Sequence, residues 1–179
     1  NWRADRFAQG FRKLTNLIES SVAANYMYAS RAYGTAGTTP FASGHGELAQ
    51  ALKILKDNGA PQDQLRAVIE SGAGANMRSL GLLTKANEAG TDLTLRRGTL
   101  LDLHGFGIGE TGQPAAVFHT AGTAASYVTN GTFAIGDTEI DIDGGSGTIL
   151  AGDVIDFGDE HKYVVKTALA AGTVVIQEP

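Results

Sequence analysis

The stretch GTLLDLHGFGIGET, residues 98–111, marks the point where the pattern of the chain changes from helical to extended. Apolar residues recur in it, but glycines interrupt them at positions 105, 107 and 109. Glycine weakens a helix, and in a strand it marks close backbone approach or a tight turn. We therefore predict a strand that enters and leaves a tight turn. The glycines lack the spacing and the following helix of a dinucleotide-binding loop, so no phosphate site is expected.

Upstream of this stretch, residues 3–33 show one long amphipathic helical pattern that ends at Gly34, a residue suited to a helix C-terminus. A helix of that length would reach about 45 Å, longer than a small domain can cover. We expect part of its apolar stripe to meet other parts of a longer chain or another subunit. Core packing is favoured over a coiled coil, because tyrosines and alanines interrupt the leucine seam. The stripe comprises Phe7, Phe11, Leu14, Ile18, Val22, Tyr26, Ala29 and Tyr33.

Between the long helix and residue 98, the pattern predicts a mixed α/β layer. Residues 35–46 are small and turn-forming and indicate a loop, and residues 47–57 form a helix that Asn58 and Gly59 terminate. Residues 65–70 are predicted to be a buried strand. Ser71 then caps a second helix. Its buried residues are predicted to be Met77, Leu80 and Leu83.

After Pro114 the pattern becomes one of short strands separated by turns. Residues 126–135 contain Asn130-Gly131 between two strand-like runs, which predicts a β-hairpin. Several short strands within about sixty residues predict a small closed antiparallel barrel or a sandwich. The further strands are predicted at 138–142, 153–157, 162–167 and 173–177.

The predicted fold class is therefore α+β, with a long helix, a mixed α/β layer and a small antiparallel β-barrel. The corresponding domains are a long helix over residues 1–34, an α/β core over 35–115 and a β-barrel domain over 116–179.

Composition narrows the function classes. The chain has 179 residues, 42% of them hydrophobic, with a net charge of -5 and no cysteine. Disulfides and thiolate chemistry are therefore excluded, and the acidic balance disfavours sequence-specific nucleic-acid binding. No apolar run is long enough to span a bilayer, and the N-terminus lacks the apolar core of a signal peptide, so we expect a soluble protein. Because the first residue is Asn1 and the chain stops just after a strand, we expect a piece of a longer protein.

The residues that could carry chemistry do not form a recognisable site in the sequence. The four histidines lack the spacing that places two imidazoles on one metal ion: His45, His104, His119 and His161. Asp141 and Asp143 match part of a calcium loop, but the remaining ligands are missing. There is no nucleophile elbow. We therefore predict no enzyme, with no catalytic, cofactor-binding or metal-binding residues and no cofactor.

Two further short motifs have simple structural explanations. Residues 130–132 match a glycosylation signal, but the turn predicted there explains them better. Arg96 and Arg97 are interpreted as an exposed charge pair or a subunit contact rather than a nucleic-acid groove.

The order of these elements resembles the major capsid proteins of tailed bacteriophages, the Hong Kong 97-type coat fold. Residues 3–111 are similar to the coat core, with the helix over 47–57, the sequence NGAP at 58–61, the strand RAVI at 66–69 and the glycine-phenylalanine strand at 100–111. The sequences AGDVIDF at 151–157 and KYVV at 162–165 are similar to strands of the β-domain inserted in coats of the podophage branch. An N-terminal arm, an extended loop and the strands that return to the core are not recognisable.

The resemblance implies a structural subunit that assembles with copies of itself, as hexamers and pentamers, into an icosahedral shell around DNA. It also implies scaffolding and portal proteins as partners, and a location in the virion or, during assembly, in the bacterial cytoplasm. The long helix is compatible with a thin, flat subunit, and the inserted β-domain would stabilise the subunit or contact neighbours.

Two other classes of function remain open. One is a binding module, in which the β-barrel recognises a carbohydrate or a protein and the helical half is a stalk. It would require exposed, clustered aromatic residues, for which Phe118, Tyr127, Phe133, Phe157 and Tyr163 are available. The other is a hydrolase or transferase with convergent polar groups in a pocket, and the sequence shows no such constellation.

Overall fold

The chain folds as an α+β protein with a long N-terminal helix and a curled antiparallel sheet. The computed structural model describes residues 2–35, 37–85, 87, 90, 96–100, 102–112 and 119–178. The chain divides into two compact units. The sheet unit comprises Asn1–Ala32 and Gln113–Pro179, and the α/β unit comprises Tyr33–Gly112. The predicted boundary between residues 115 and 116 lies outside the described residues.

The sheet unit begins with helix α1, Trp2–Ala23. A 3₁₀ turn, Ala24–Tyr28, follows it directly. The prediction of one helix to residue 33 is therefore wrong at its C-terminal end. Ser30 already accepts the amide N–H of Val164, and strand β1, Arg31–Ala32, pairs with a strand far along the chain. This pairing satisfies backbone groups that a continued helix would have bonded locally. Tyr26 thus lies in a 3₁₀ turn, and Ala29 and Tyr33 lie outside any helix, so their spacing does not extend α1.

The sheet is built from the C-terminal strands with β1 added at one end. The C-terminal strands are β4, Val128–Thr129; β5, Glu139–Asp143; β6, Val154–Asp156; β7, Lys162–Ala170; and β8, Thr173–Ile176. The strand order is β1-β7-β8-β5-β4, and β6, which is not on this path, also pairs with β7. All of these pairings are antiparallel.

Further backbone hydrogen bonds, beyond the strand pairings, curl the sheet so that its two ends approach each other. Ala125 exchanges two hydrogen bonds with Ser146, and the amide of Ala124 donates to the carbonyl of Thr148. The amide of Leu169 in β7 donates to the carbonyl of Ile149. The segment around residues 146–149 thus links the β4 side of the sheet back to β7. The curl encloses a core of Ile140, Ile142, Ile149, Val165 and Val174.

The predicted hairpin at Asn130-Gly131 is wrong. Strand β4 pairs instead with β5, where Val128 lies opposite Asp143. A two-residue type I′ turn needs positive φ at both central residues, and of these two only Gly131 has it. In the run after the turn, Phe133 packs against the core but Ile135 is fully exposed. In β5, by contrast, Ile140 and Ile142 both face the core, which favours β5 as the partner.

The α/β unit contains helix α2, Gly46–Asp57, then strand β2, Arg66–Glu70, and two short helices. These are α3, Ser71–Ser79, and α4, Gly81–Thr84, with Leu80 extended between them, so the single predicted helix is interrupted. Strand β2 is half-exposed rather than fully buried: Ile69 faces the core and Val68 faces outwards. The core contains Phe41, Leu48, Ile69, Ala73, Met77, Leu83 and Phe106, which confirms two of the predicted core residues.

The stretch over residues 98–111 behaves as predicted in its described part. Leu103 and Phe106 exchange backbone hydrogen bonds around His104 and Gly105, which both have positive φ. The chain then continues as β3, Gly107–Thr111, which pairs in parallel with β2. A tight turn therefore leads directly into the strand, and the β2-helix-β3 connection forms the mixed layer. Leu101 lies outside the described residues.

Candidate assembly surface

Helix α1 presents a row of apolar side chains that the described residues leave uncovered. None of its residues is buried, and Phe7 and Phe11 are 71% and 69% exposed. Leu14, Ile18 and Val22 continue the row, each more than half exposed. An exposed apolar patch of this kind is typical of a surface that another polypeptide segment covers. Covering each large side chain contributes roughly 1.5 to 3 kcal/mol.

The polar residues of α1 differ in charge from those of the sheet. The helix carries four basic residues and two acidic ones, a net charge of +2. Residues 119–178 carry nine acidic and two basic residues, a net charge of -7. The exposed positions of β5 contribute three of these carboxylates, because Glu139, Asp141 and Asp143 alternate with buried isoleucines. The sheet unit therefore has a basic helix and an acidic sheet.

A buried carboxylate ties together two loops of the sheet unit. Asp153 is only 8% exposed and lies 2.5 Å from Nε2 of His119 through its Oδ1. It also accepts the backbone N–H of Gly122, at 3.1 Å, and that of Leu150, at 2.7 Å. Three donors thus satisfy the carboxylate. Burial, and then the charge of Asp153, raise the pKa of the nearby Tyr26 hydroxyl.

The geometry of Asp153 indicates a structural role. The carboxylate holds the chain at residues 119–122 against the turn at residues 150–153. A buried carboxylate whose acceptor sites are filled by backbone amides stabilises the local fold. The sequence offered no local signal for this contact, since 34 residues separate His119 from Asp153.

A second polar cluster surrounds Tyr163 in β7. Its hydroxyl donates to Oδ2 of Asp159, at 2.5 Å, and the Arg31 guanidinium lies 4.2 Å from its ring centroid. Burial, then the hydrogen bond to Asp159, raise the pKa of Tyr163. For Asp159, burial acts to raise the pKa, but hydrogen bonds from Tyr163 and the backbone outweigh it, so the pKa is lowered. The cluster anchors β1 on β7.

Of the aromatic residues considered for a binding module, two lie together. The rings of Phe157 and Tyr163 are 5.6 Å apart, and Phe157 is 36% exposed. Tyr127 and Phe133 are partly buried and pack against the core. Phe118 lies outside the described residues. An apolar cavity of about 180 Å³ lies nearby, and its lining includes Tyr127, Ile142, Ile149, Ile155 and Phe157.

The structure brings together two of the histidines that the sequence leaves apart. Nδ1 of His45 lies 3.0 Å from Nε2 of His104, although 59 residues separate them. His119 belongs to the Asp153 cluster, and His161 lies beside Tyr163. Sequence spacing could not reveal the first pair, because a loop of the α/β unit and the turn before β3 meet only in three dimensions.

The remaining motifs have ordinary structural surroundings. Asp141 accepts the hydroxyl of Thr173, at 2.6 Å, and Asp143 accepts the amide of Gly144, also at 2.6 Å. The part of the chain that the structure describes holds no group of three or more potential metal ligands. The amide of Asn130 donates to the carbonyl of Asp141, which extends the β4–β5 pairing. Arg96 and Arg97 are both exposed.

The ionic contact between Arg78 and Glu110 joins α3 to β3. The Arg78 guanidinium donates to Oε2 of Glu110 and also, at 2.8 Å, to the carbonyl of Gly98. The hydrogen bond from Arg78 lowers the pKa of Glu110 and raises that of Arg78. This contact ties α3 to β3 within the α/β unit.

Comparison with known proteins gives a likeness of fold. No family model matches the chain, and no curated protein matches it. A solved structure from Mycobacterium phage Che8 is similar, with a TM-score of 0.53 and 20% sequence identity. The match covers 95% of this chain and 61% of that one, so the chain spans less than two thirds of the phage structure. The chain thus shares its fold with a protein structure from a mycobacterium phage. Among the described residues, no helix is long and apolar enough to cross a membrane.

Proposed function

We propose that this chain is a structural subunit of a bacteriophage virion and, more specifically, part of a major capsid protein of the Hong Kong 97 type. The observation that carries the proposal is the exposed apolar row on α1, together with the likeness to a Mycobacterium phage Che8 structure. A helix of 22 residues, about 33 Å long, is a substantial element to leave uncovered in water. A subunit built for assembly accounts for it.

The α1 row would be buried in the shell, against neighbouring subunits or against further segments of the full-length polypeptide. In the same proposal, copies of the subunit form hexamers and pentamers, scaffolding and portal proteins are partners during assembly, and the shell encloses DNA. In this proposal the strands β4 to β8, within residues 116–179, correspond to the inserted β-domain, and α1 belongs to the coat core. The net charge of -5 is compatible with a shell that confines DNA mechanically and does not bind it through phosphates.

The proposal is tested by expressing the full-length gene product, with a scaffolding protein where its operon encodes one, and examining sedimentation and negatively stained particles. Phe7→Ser combined with Phe11→Ser removes two side chains from the α1 row. Burial of each phenylalanine is worth roughly 1.5 to 3 kcal/mol, so we expect assembly to weaken about 100-fold or more. Gln9→Ser lies on the opposite side of the helix and serves as the matched control. Closed particles with the control and none with the double variant support the proposal.

The alternative function is a β-sheet binding module for a carbohydrate or a protein. The cavity of about 180 Å³ beside Tyr127 and Phe157 favours it, because an aromatic and an aliphatic wall can hold one apolar ring. Ligand binding and particle formation together separate the two functions. Saturable ligand binding that Phe157→Ala abolishes, by a protein that forms no particles, would favour the binding module, whereas particle formation without a saturable ligand would favour the coat subunit.

A further inference from the structure

The contact between His45 and His104 is the most specific arrangement of side chains that the proposed function leaves unused. Nδ1 of His45 and Nε2 of His104 are 3.0 Å apart, and the two ring centroids are 5.0 Å apart at an interplanar angle of 48°. The contact lies on the exposed surface of the α/β unit. Two imidazole nitrogens therefore face one another where solvent can reach them.

The backbone places the two histidine residues next to each other. His45 is the N-terminal capping residue of α2, and its carbonyl accepts the amide of Leu48, but its side chain makes no capping hydrogen bond. His104 occupies the tight turn before β3 with φ of 51°. That turn is closed by two backbone hydrogen bonds between Leu103 and Phe106, and Phe106 is buried in the core. The fold thus holds the two residues next to each other.

We propose that His45 and His104 form a two-imidazole binding site for a divalent transition-metal ion. Imidazole nitrogens bind such ions at about 2.0 to 2.1 Å, so two nitrogens on neighbouring positions of one ion lie about 3 Å apart. The observed separation of 3.0 Å fits that spacing. Imidazole suits Zn²⁺, Ni²⁺ and Cu²⁺, and Cu²⁺ binds most tightly in this series. Water completes the coordination on the exposed side.

Binding requires a rearrangement of protons on the two rings. In the present contact one ring donates an N–H to the other, so the lone pair of the accepting nitrogen is engaged and the donating nitrogen has none. The ion needs a lone pair from both nitrogens. The donor ring therefore moves its proton to its other nitrogen through solvent, both rings turn so that the two lone pairs converge on the ion, and the neutral pair takes up the ion with no net release of protons.

The charges around the pair suit a cation. The N-terminus of α2 carries a partial positive charge, but Glu47 in its first turn offsets it. One carboxylate oxygen of Glu47 accepts the amide of Phe41, at 3.3 Å, which holds the side chain at this end of the helix. An ion bound by His45 and His104 would clamp the start of α2 to the turn that leads into β3. Metal binding then stabilises the α/β unit.

The test is a calorimetric titration of the unassembled protein with Cu²⁺ and, separately, with Ni²⁺, at pH 7.5 in a buffer that does not bind metal ions. Copper binding is also monitored by electron paramagnetic resonance, which detects coupling to imidazole nitrogens. We expect one equivalent of metal, two coupled nitrogens and a melting temperature that rises with metal concentration. His45→Ala and His104→Ala should each lower the affinity about tenfold or more, because two ligands on one rigid surface act as a chelate.

His161→Ala is the matched control, because His161 is an exposed histidine in the other unit. It should leave metal affinity unchanged. Amide hydrogen exchange of each variant in the absence of metal checks that the α/β unit is folded. Equal affinity in the wild type and both single variants, or no binding by the wild type, would overturn the inference. The proposed coat function is tested separately by particle formation, so the two can fail independently.

Discussion

Removing the Asp153 carboxylate should strongly destabilise the sheet unit. In Asp153→Ala, the amides of Gly122 and Leu150 and the Nε2 nitrogen of His119 lose their acceptor. Each unpaired buried donor costs about 1 to 3 kcal/mol. Water can enter the space that the carboxylate leaves and satisfy part of this demand, so we expect a loss of about 3 kcal/mol. For a unit of about 100 residues, that lowers the melting temperature by roughly 10 to 20 °C.

The assay is urea unfolding by circular dichroism, combined with hydrogen exchange that resolves the two units. Protection should fall in β7, residues 162–170, and remain unchanged in α2, because Asp153 and α2 belong to different units. Asp153→Asn retains one acceptor oxygen and should lose less, about 1 to 2 kcal/mol. Asp156→Ala is the control, since its exposed carboxylate accepts only the neighbouring amide of Gly158 among the described hydrogen bonds. An unfolding free energy for Asp153→Ala within about 0.5 kcal/mol of the wild type would refute the reasoning.

Three further predictions concern the stability of the two units. Met77→Ala empties a fully buried position in the α/β unit and should lower its unfolding free energy by about 2 to 5 kcal/mol, measured by urea unfolding. The hydrogen bond from Arg78 lowers the pKa of Glu110 in the folded state. The contact therefore stabilises the folded protein at pH values above the pKa of an unfolded glutamate. This stabilisation is lost as the pH falls through the pKa of Glu110 in the folded state. Glu110→Gln should therefore destabilise the unit at pH 7 and flatten its acid dependence below about pH 5, and an unchanged profile would contradict this. Gly122→Ala would place a methyl group against the carbonyl of Thr148, so we expect loss of exchange protection around residues 123–125 and 146–148.

The features that local signals govern could be predicted from the sequence. The helix over 47–57 has an apolar face and ends at Asn58-Gly59, and the structure places α2 at Gly46–Asp57. The strands predicted at 66–69, 138–142, 162–167 and 173–177 all exist with small shifts of their ends. In each of these segments the side-chain pattern and the turn residues agree, so local preference and tertiary packing favour the same conformation.

The errors occur where distant residues decide the local structure. The helical spacing continues beyond α1, but residues 24–28 form a 3₁₀ turn, and pairing with β7 makes Arg31–Ala32 a strand. At Asn130-Gly131, the local turn does not form a hairpin, because β4 pairs with β5, whose isoleucines are buried in the core. Neither long-range partner is visible from a short window of sequence.

The candidate sites depend on the same kind of long-range contact. The apolar row of α1 could be predicted, because its period is local. The favoured expectation that it packs into the core is wrong, because none of the residues of α1 is buried. The pair His45 and His104 could not, since their separation in sequence gives no metal-binding spacing. The Asp153 cluster likewise forms only when two loops meet.

The measurement that tests the central proposal most directly is an electron cryomicroscopy reconstruction of the particles formed by the full-length gene product. We expect a closed icosahedral shell in which every subunit contains the 22-residue helix, the curled sheet and the α/β unit, with Phe7 and Phe11 buried. Particles that lack this fold in their shell, or soluble monomers under every assembly condition, would contradict it.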